Sequence, residues 1–286
     1  MEKIKIWKEG FEGILMPSSG RKDKVVILMS GSNGGMSLTE KESEFYAENG
    51  IPVLALALFA TKHTPKYLDR IPVECVENAI KWLKSKGYEK IGIDGMSKGS
   101  EIALFAASMF PEINCVIARV PSHFISEGLI VNSKGKVPSG TSCWSYKGKE
   151  ILFASYKVRS FDILKMLKQE KELHIITFNK DKDVAEENLI PVEKIKAPVL
   201  LLSSKNDSVW PSYESSLYIE NKLQQSDFPY KVKHVAFDAM SHSVTTSLPF
   251  SYKIAFKAER KNPKECKKER EILKAELLNW VEKVWN

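Results

Sequence analysis

Two rhythms of apolar residues alternate along this chain. Short apolar-rich stretches that read as strands occupy 25–29, 52–59, 90–94, 115–120, 198–202 and 232–237, and the continuous apolar run at 25–29 is of the kind expected for a strand buried on both faces. Between them apolar positions recur at helical spacing. Val73, Val76, Ile80 and Leu83 predict a helix over about 71–86, stopped by Gly87. Thr39 and Glu42 fit a capping box opening a helix that runs to about Asn49 and ends at Gly50. Further helices are predicted from just after Gly99 to about Phe110, over 212–225 and over 263–285. Strand and helix taking turns in this way predicts an α/β fold with a mostly parallel central sheet and helices on both faces.

One stretch breaks the rhythm. Residues 121–193 hold Gly135, Pro138, Gly140 and Gly148 and then an amphipathic piece near 161–167. A long insertion in a compact domain is usually functional, so this one is expected to form a cap over the strand ends. The expected organisation is a single domain spanning 1–286 that carries this insertion. The first six residues alternate charged and apolar side chains and predict a strand. The residues ahead of the first buried strand are expected to form a β-hairpin at most.

Composition narrows the function classes. No run approaches the roughly 18 apolar residues of a membrane span, and the start lacks the apolar core of a signal peptide. A cytosolic location is therefore expected. Cys75, Cys115, Cys143 and Cys266 form no C-x-x-C pair and have no histidine at ligand spacing, so free thiols and no metal are expected. The formal charge of +7 is dispersed, apart from the tail Lys261 to Arg270. Glu265 and Glu269 interrupt that tail, which reads as a solvated helix face. No nucleic-acid-binding module is visible.

The chemistry concentrates at Gly95-Met96-Ser97-Lys98-Gly99, a G-x-S-x-G pentapeptide between a predicted strand and a predicted helix. A serine on such a turn is lifted above the sheet, and small flanking residues let neighbouring backbone pass. The Lys98 N–H then points at a developing oxyanion. A serine hydroxyl needs a base. Partners in the order acid then histidine are present: Asp207 follows the 198–202 strand, and His242 follows the 232–237 strand. Asp238 is the rival acid. His63, His123, His174 and His234 fit the order poorly. The glycine-rich loop 31–35 is expected to give the second oxyanion donor, the Ser32 N–H or else that of Asn33.

With these residues placed, the chain resembles the C-terminal catalytic domain of acyl-CoA thioesterases and bile acid-CoA:amino acid N-acyltransferases, a dienelactone-hydrolase-like branch of the α/β-hydrolase fold. The likeness runs from about Val25 to the closing helix. Its most specific pieces are Gly95-Met96-Ser97-Lys98-Gly99-Ser100-Glu101, Trp144-Ser145-Tyr146-Lys147-Gly148-Lys149, Ile190-Pro191-Val192-Glu193-Lys194 and Asn206-Asp207-Ser208-Val209-Trp210. The resemblance implies a nucleophile at Ser97, an acid at Asp207, a base at His242 and acyl transfer from a thioester. The family's amino-acid transferases use cysteine, so serine here points to water as acceptor. The family's eukaryotic members carry an N-terminal β-sandwich domain, for which the roughly two dozen residues ahead of the first buried strand are not expected to suffice.

The leading expectation is a serine hydrolase that cleaves a small-molecule acyl thioester or ester through an acyl-enzyme, with no bound cofactor. A carboxylesterase, lactone hydrolase or peptidase is the enzymatic alternative, and a non-catalytic binding protein on the same fold is the other class. Lys134, Lys136, Lys147, Lys149, Lys157 and Arg159, flanked by Trp144, Tyr146 and Tyr156, are candidates for binding a coenzyme A leaving group.

Overall fold

The computed structural model describes residues 1–18, 20–133, 135–156 and 184–285. The amphipathic piece near 161–167, His174, Lys134, Lys157 and Arg159 lie outside the described residues. The main sheet is built from β1 (Glu2–Ile4), β2 (Glu12–Met16), β3 (Lys24–Met29), β4 (Val53–Ala57), then, past the short β5 (Ile71–Pro72), β6 (Lys90–Met96) and β7 (Ile113–Arg119). After the insertion it continues with β12 (Val199–Ser204) and β13 (Val232–Phe237). Its order is β1-β2-β4-β3-β6-β7-β12-β13. The pairs β1–β2 and β2–β4 are antiparallel. The pairs from β4 onward are parallel. This is the α/β-hydrolase arrangement.

The unbroken apolar runs have the predicted cause. Every residue of β3, β4 and β12 is buried, because helices cover both faces of the sheet centre. Edge strand β13 is only half-buried up to Phe237. The helices α1 (Ile6–Glu9), α2 (Ser37–Glu48), α3 (Glu74–Ser85) and α4 (Lys98–Met109) are joined by Ser212–Gln225 and the closing helix Pro263–Asn279. One apolar core joins Ile27, Leu54, Ile80, Leu104 and Leu201, and the other joins Val26, Ile117, Leu202, Leu273 and Trp280.

Two expectations about helix ends are corrected. Thr39 and Glu42 do not cap α2, which begins at Ser37 behind Met36. Both side chains have tertiary partners instead. Thr39 Oγ1 donates to Ser30 Oγ at 2.8 Å, and Glu42 receives Arg119 Nη1 at 2.8 Å. The closing helix also departs from α geometry before 285. Residues Trp280–Val284 form a π turn. The Lys24 ammonium, buried at the start of β3, donates to the carbonyls of Val281 and Trp285, both at 2.9 Å. A cation satisfying the last carbonyls is a favourable helix end.

The insertion contributes strands outside the main sheet. β8 (Glu127–Asn132) and β9 (Gly135–Ser142) form an antiparallel pair, and β10 (Trp144–Tyr146) joins β5 and β11 (Lys149–Glu150). Leu129 on β8 bridges Leu68, and Lys136 Nζ on β9 donates to the Ser32 carbonyl at 2.6 Å.

Beneath the strand ends lies a buried ionic cluster. Arg119 Nε donates to Asp94 Oδ1 at 2.9 Å, Arg119 Nη1 meets Glu42, and the Tyr46 hydroxyl donates to Asp94 Oδ2 at 2.7 Å. Arg119 is 1% exposed. Removing one member of a buried ionic set leaves the others uncompensated. Arg119→Met is therefore expected to lose about 3–5 kcal/mol of unfolding free energy, read as a lower urea midpoint.

Candidate active site

The site is assembled from three turns at the carboxyl ends of β6, β12 and β13. At the first, β6 turns directly into α4 with Ser97 at the N-cap, φ 58° and ψ −119°. A non-glycine residue held there is strained, and surrounding packing must hold it. The packing is visible in what added Cβ atoms would meet. At Gly95 a Cβ would lie 2.0 Å from the Gly99 carbonyl oxygen, and at Gly99 one would lie 2.6 Å from the carbonyl oxygens of Met29 and Ser30. The two glycines allow α4 to leave β6 at once and to press its first turn against the end of β3.

Ser97 Oγ lies 2.9 Å from His242 Nε2, and His242 Nδ1 lies 2.8 Å from Asp207 Oδ2. An ionised carboxylate only accepts, so Nδ1 carries the proton and donates to Asp207. That leaves Nε2 free to accept from the serine hydroxyl. All three residues are buried, with Ser97 at 5%, Asp207 at 5% and His242 at 8% exposure. Asp207 is oriented in turn. Its other oxygen accepts the N–H groups of Val209 at 2.9 Å and Trp210 at 3.2 Å. The Trp210 indole packs edge-on against His242, with ring centres 5.4 Å apart.

The rival groups are elsewhere. The Asp238 side chain is 74% exposed and pairs with Lys205 at 2.8 Å. His63 packs on Trp7, His123 Nδ1 contacts Ser215 Oγ at 3.0 Å, and His234 Nε2 contacts Ser203 Oγ at 2.7 Å.

The glycine-rich loop after β3 passes directly over the serine. A Cβ on Gly31 would sit 2.8 Å from Ser97 Cβ and 3.2 Å from Ser97 Oγ. Only glycine lets backbone approach so closely, and the next peptide is that of Ser32. Ser32 and Asn33 also line a cavity of about 350 Å³ whose other walls include Phe59, Leu68, Leu129 and Lys136.

The remaining candidates are not brought to the serine. Trp144 is fully buried, and its indole N–H donates to Glu101 Oε1 at 2.8 Å, so neither ring face is open to a ligand. Tyr146 packs on Phe110 at the far end of α4, a helix about 18 Å long. Lys147 and Lys149 stay with it on the β10–β11 turn, where the Lys147 N–H donates to Glu74 at 2.6 Å. Of the basic cluster, Lys136 alone among the described residues lines the cavity beside Ser32.

Sequence reasoning missed the carboxylates that hold the His242 loop. Glu269 accepts the N–H groups of Asp238 at 2.9 Å, Ala239 at 3.0 Å and Met240 at 2.7 Å. Glu259 accepts the Ser241 hydroxyl at 3.0 Å, and Arg270 donates to Glu259 at 2.8 Å. Glu42 accepts the Thr246 N–H at 2.9 Å. The tail read as a solvated face therefore turns two charges inward, since Arg270 is 7% exposed. A hydrogen-bonding loop without regular structure needs such partners. Glu269→Ala is expected to lower kcat about tenfold or more, because small displacements of a base are costly. Glu269→Gln, which keeps one acceptor oxygen but turns an NH2 donor towards an N–H of the loop, should fall between the alanine variant and wild type. Steady-state kinetics of the two variants beside their melting temperatures check this.

The chain and its fold both have relatives among known proteins. The chain is 27% identical over 205 residues to the peroxisomal succinyl-coenzyme A thioesterase of Mus musculus, covering 70% of this chain and 44% of that protein. It is 28% identical over 213 residues to the mitochondrial acyl-coenzyme A thioesterase 2 of Rattus norvegicus, covering 73% and 42% respectively. The chain thus spans less than half the length of these curated relatives. An esterase of Pyrococcus furiosus superposes with a TM-score of 0.57 at 16% identity, covering 100% of this chain and 98% of that one. Est1E of Butyrivibrio proteoclasticus, solved with ferulic acid, gives 0.54 at 15% identity, covering 96% and 98%. These two likenesses speak for the fold. The model of the family described as BAAT / acyl-CoA thioester hydrolase C terminal matches residues 71–258, and the chain belongs to that family.

Proposed function

We propose that the protein is a serine hydrolase that cleaves an acyl thioester, with coenzyme A thioesters as the substrate class. The observation that carries this reading is the unbroken relay from Ser97 Oγ through His242 to Asp207, at 2.9 and 2.8 Å. In this reading the Ser97 oxygen attacks the acyl carbonyl carbon while His242 Nε2 takes its proton. The tetrahedral oxyanion is held by the N–H groups of Lys98 and Ser32, supported by the passage of Gly31 over the serine. Collapse expels the thiolate, which takes up the proton that His242 removed from Ser97. Water, deprotonated by the same nitrogen, then attacks the acyl-enzyme, and His242 returns that proton to the leaving Ser97 oxygen as the acid is released. Asp207 keeps Nδ1 protonated throughout and stabilises the imidazolium.

The thioester preference draws on the family and on its thioesterase relatives. The mostly apolar cavity beside Ser32 and Asn33 suits an acyl chain. The insertion serves as a cap, a role supported by the bridge from Leu129 to Leu68 and by the Lys136 contact to the Ser32 carbonyl. A cytosolic location belongs to the same proposal. Among the described residues no helix is long and apolar enough to cross a membrane.

The test is a panel of acyl-CoAs beside p-nitrophenyl esters of matched chain length. Wild type should turn over the thioesters with the higher kcat/KM and react with a fluorophosphonate at Ser97. Ser97→Ala and His242→Ala should lower kcat by roughly 10⁴-fold or more, and Asp207→Asn by about 10²–10⁴-fold, with folding intact. A higher kcat/KM on the esters would make the protein a carboxylesterase. Normal turnover by folded Ser97→Ala would remove the nucleophile assignment.

A further inference from the structure

Next to the nucleophile, in the first turn of α4, lies a buried ionic set that the reaction does not use. The Lys98 side chain is 2% exposed and that of Glu101 is 0% exposed, with Nζ and Oε2 3.2 Å apart. Both lie in the first turn of α4. Their other partners come from the insertion. Glu101 Oε1 accepts the Ser126 N–H at 3.0 Å and the Trp144 indole N–H at 2.8 Å, and Glu101 Oε2 accepts the Ser126 hydroxyl. Lys98 Nζ contacts Ser126 Oγ, lies 3.1 Å from Cys143 Sγ and sits over the Tyr156 ring at 5.4 Å. It also lies 5.8 Å from the centre of the Trp210 ring, which packs on His242.

One residue therefore faces two ways. The main-chain N–H of Lys98 belongs to the first turn of a helix, where no carbonyl within the helix can accept it. Its side chain is pinned inside the insertion. Burial on its own would push the Lys98 ammonium down, but the Cys143 sulfur and the Glu101 carboxylate outweigh it and the group stays charged. Stability alone does not account for such a pair, since a well-packed apolar pair is often at least as stable.

We propose that Lys98 and Glu101 are positioning residues that seat the insertion against the start of α4 and thereby fix the Lys98 N–H at the oxyanion site. The proposal rests on Ser97 being the nucleophile. Losing the pair should leave substrate binding nearly intact and weaken stabilisation of the tetrahedral state. The variants are Glu101→Gln, Glu101→Asp and the apolar double variant Lys98→Met with Glu101→Leu. The measurements are kcat and KM on a short and a long acyl thioester, melting temperature, and Ki for a trifluoromethyl ketone of matched chain length. Ser97 Oγ adds to the ketone carbon and places a full oxyanion in the hole.

Glu101→Gln should lower kcat about 10–100-fold on both substrates, less than the roughly 10²–10³-fold of an oxyanion donor removed outright, because the Lys98 N–H is displaced and not lost. KM should stay within about threefold, and Ki for the ketone should rise in step with the fall in kcat/KM. Glu101→Asp, which keeps the charge, should recover part of the rate. The double variant should melt near wild type, with no charge left unpaired, yet stay slow. A folded double variant with wild-type kcat and Ki overturns the proposal and makes the pair purely structural. If the double variant does not fold, wild-type kcat and Ki in Glu101→Gln have the same force. A wild type that hydrolyses none of the substrates and escapes fluorophosphonate labelling removes the nucleophile assignment, and the proposal falls with it.

Discussion

Backbone crowding around Ser97 is the constraint on which the site depends. Strand β6 must become helix α4 within one residue, and the loop after β3 must cross the same point. Three glycines make this possible, each where a Cβ would fall within 2.8 Å of another atom. Gly95 and Gly99 let the helix start against the sheet, and Gly31 lets the loop lie over the serine. The serine cannot relax from φ 58° while these contacts hold. Its hydroxyl is thus aimed by main chain, which is stiffer than any side-chain hydrogen bond.

The base is aimed differently. His242 sits in a stretch with no helix or strand, so its position depends on who accepts the loop's N–H groups. Glutamates from three separate helices do so: Glu42 on α2, Glu259 on the helix Lys257–Lys261, and Glu269 on the closing helix. Glu42 also binds Arg119, which reaches Asp94 on β6. The ionic cluster under the sheet and the loop that carries the base are therefore one connected network. Such networks are costly if incomplete and rigid if complete.

Much of this was legible in the sequence, for identifiable reasons. The central strands announced themselves because burial on both faces favours apolar runs, although β6 and β7 interrupt theirs with the buried pair Asp94 and Arg119. The order Ser97, Asp207, His242 was readable because each follows a strand on one edge of a parallel sheet, and the structure brings these three together. Helix polarity hid the rest. Thr39 and Glu42 have the spacing of a cap, yet both reach tertiary partners, and spacing cannot distinguish the two uses. Glu269 and Arg270 sit in a charged run that looks solvated, and only the docking of the helix against the 238–247 loop turns them inward. The basic and aromatic residues from 134 to 149 are neighbours in sequence, but the described ones part company where β9 gives way to β10. Lys136 stays beside Ser32, while Tyr146, Lys147 and Lys149 follow β10 and β11 elsewhere.

The Lys24 contact at the far end of β3 bears on how the chain reaches this state. Its ammonium is joined to carbonyls 257 and 261 residues later in the chain. Arg21 reinforces the join with Glu282 at 2.7 Å, and Gly92 leaves the room that the Trp285 ring occupies. Loop closure over such a span must be met before these contacts return anything. The sheet's central strands can pair early, but one face stays open until the closing helix docks. During synthesis that face stays unsealed until the helix Pro263–Asn279 has emerged, which makes this helix a gatekeeper of folding yield as much as a part of the folded core.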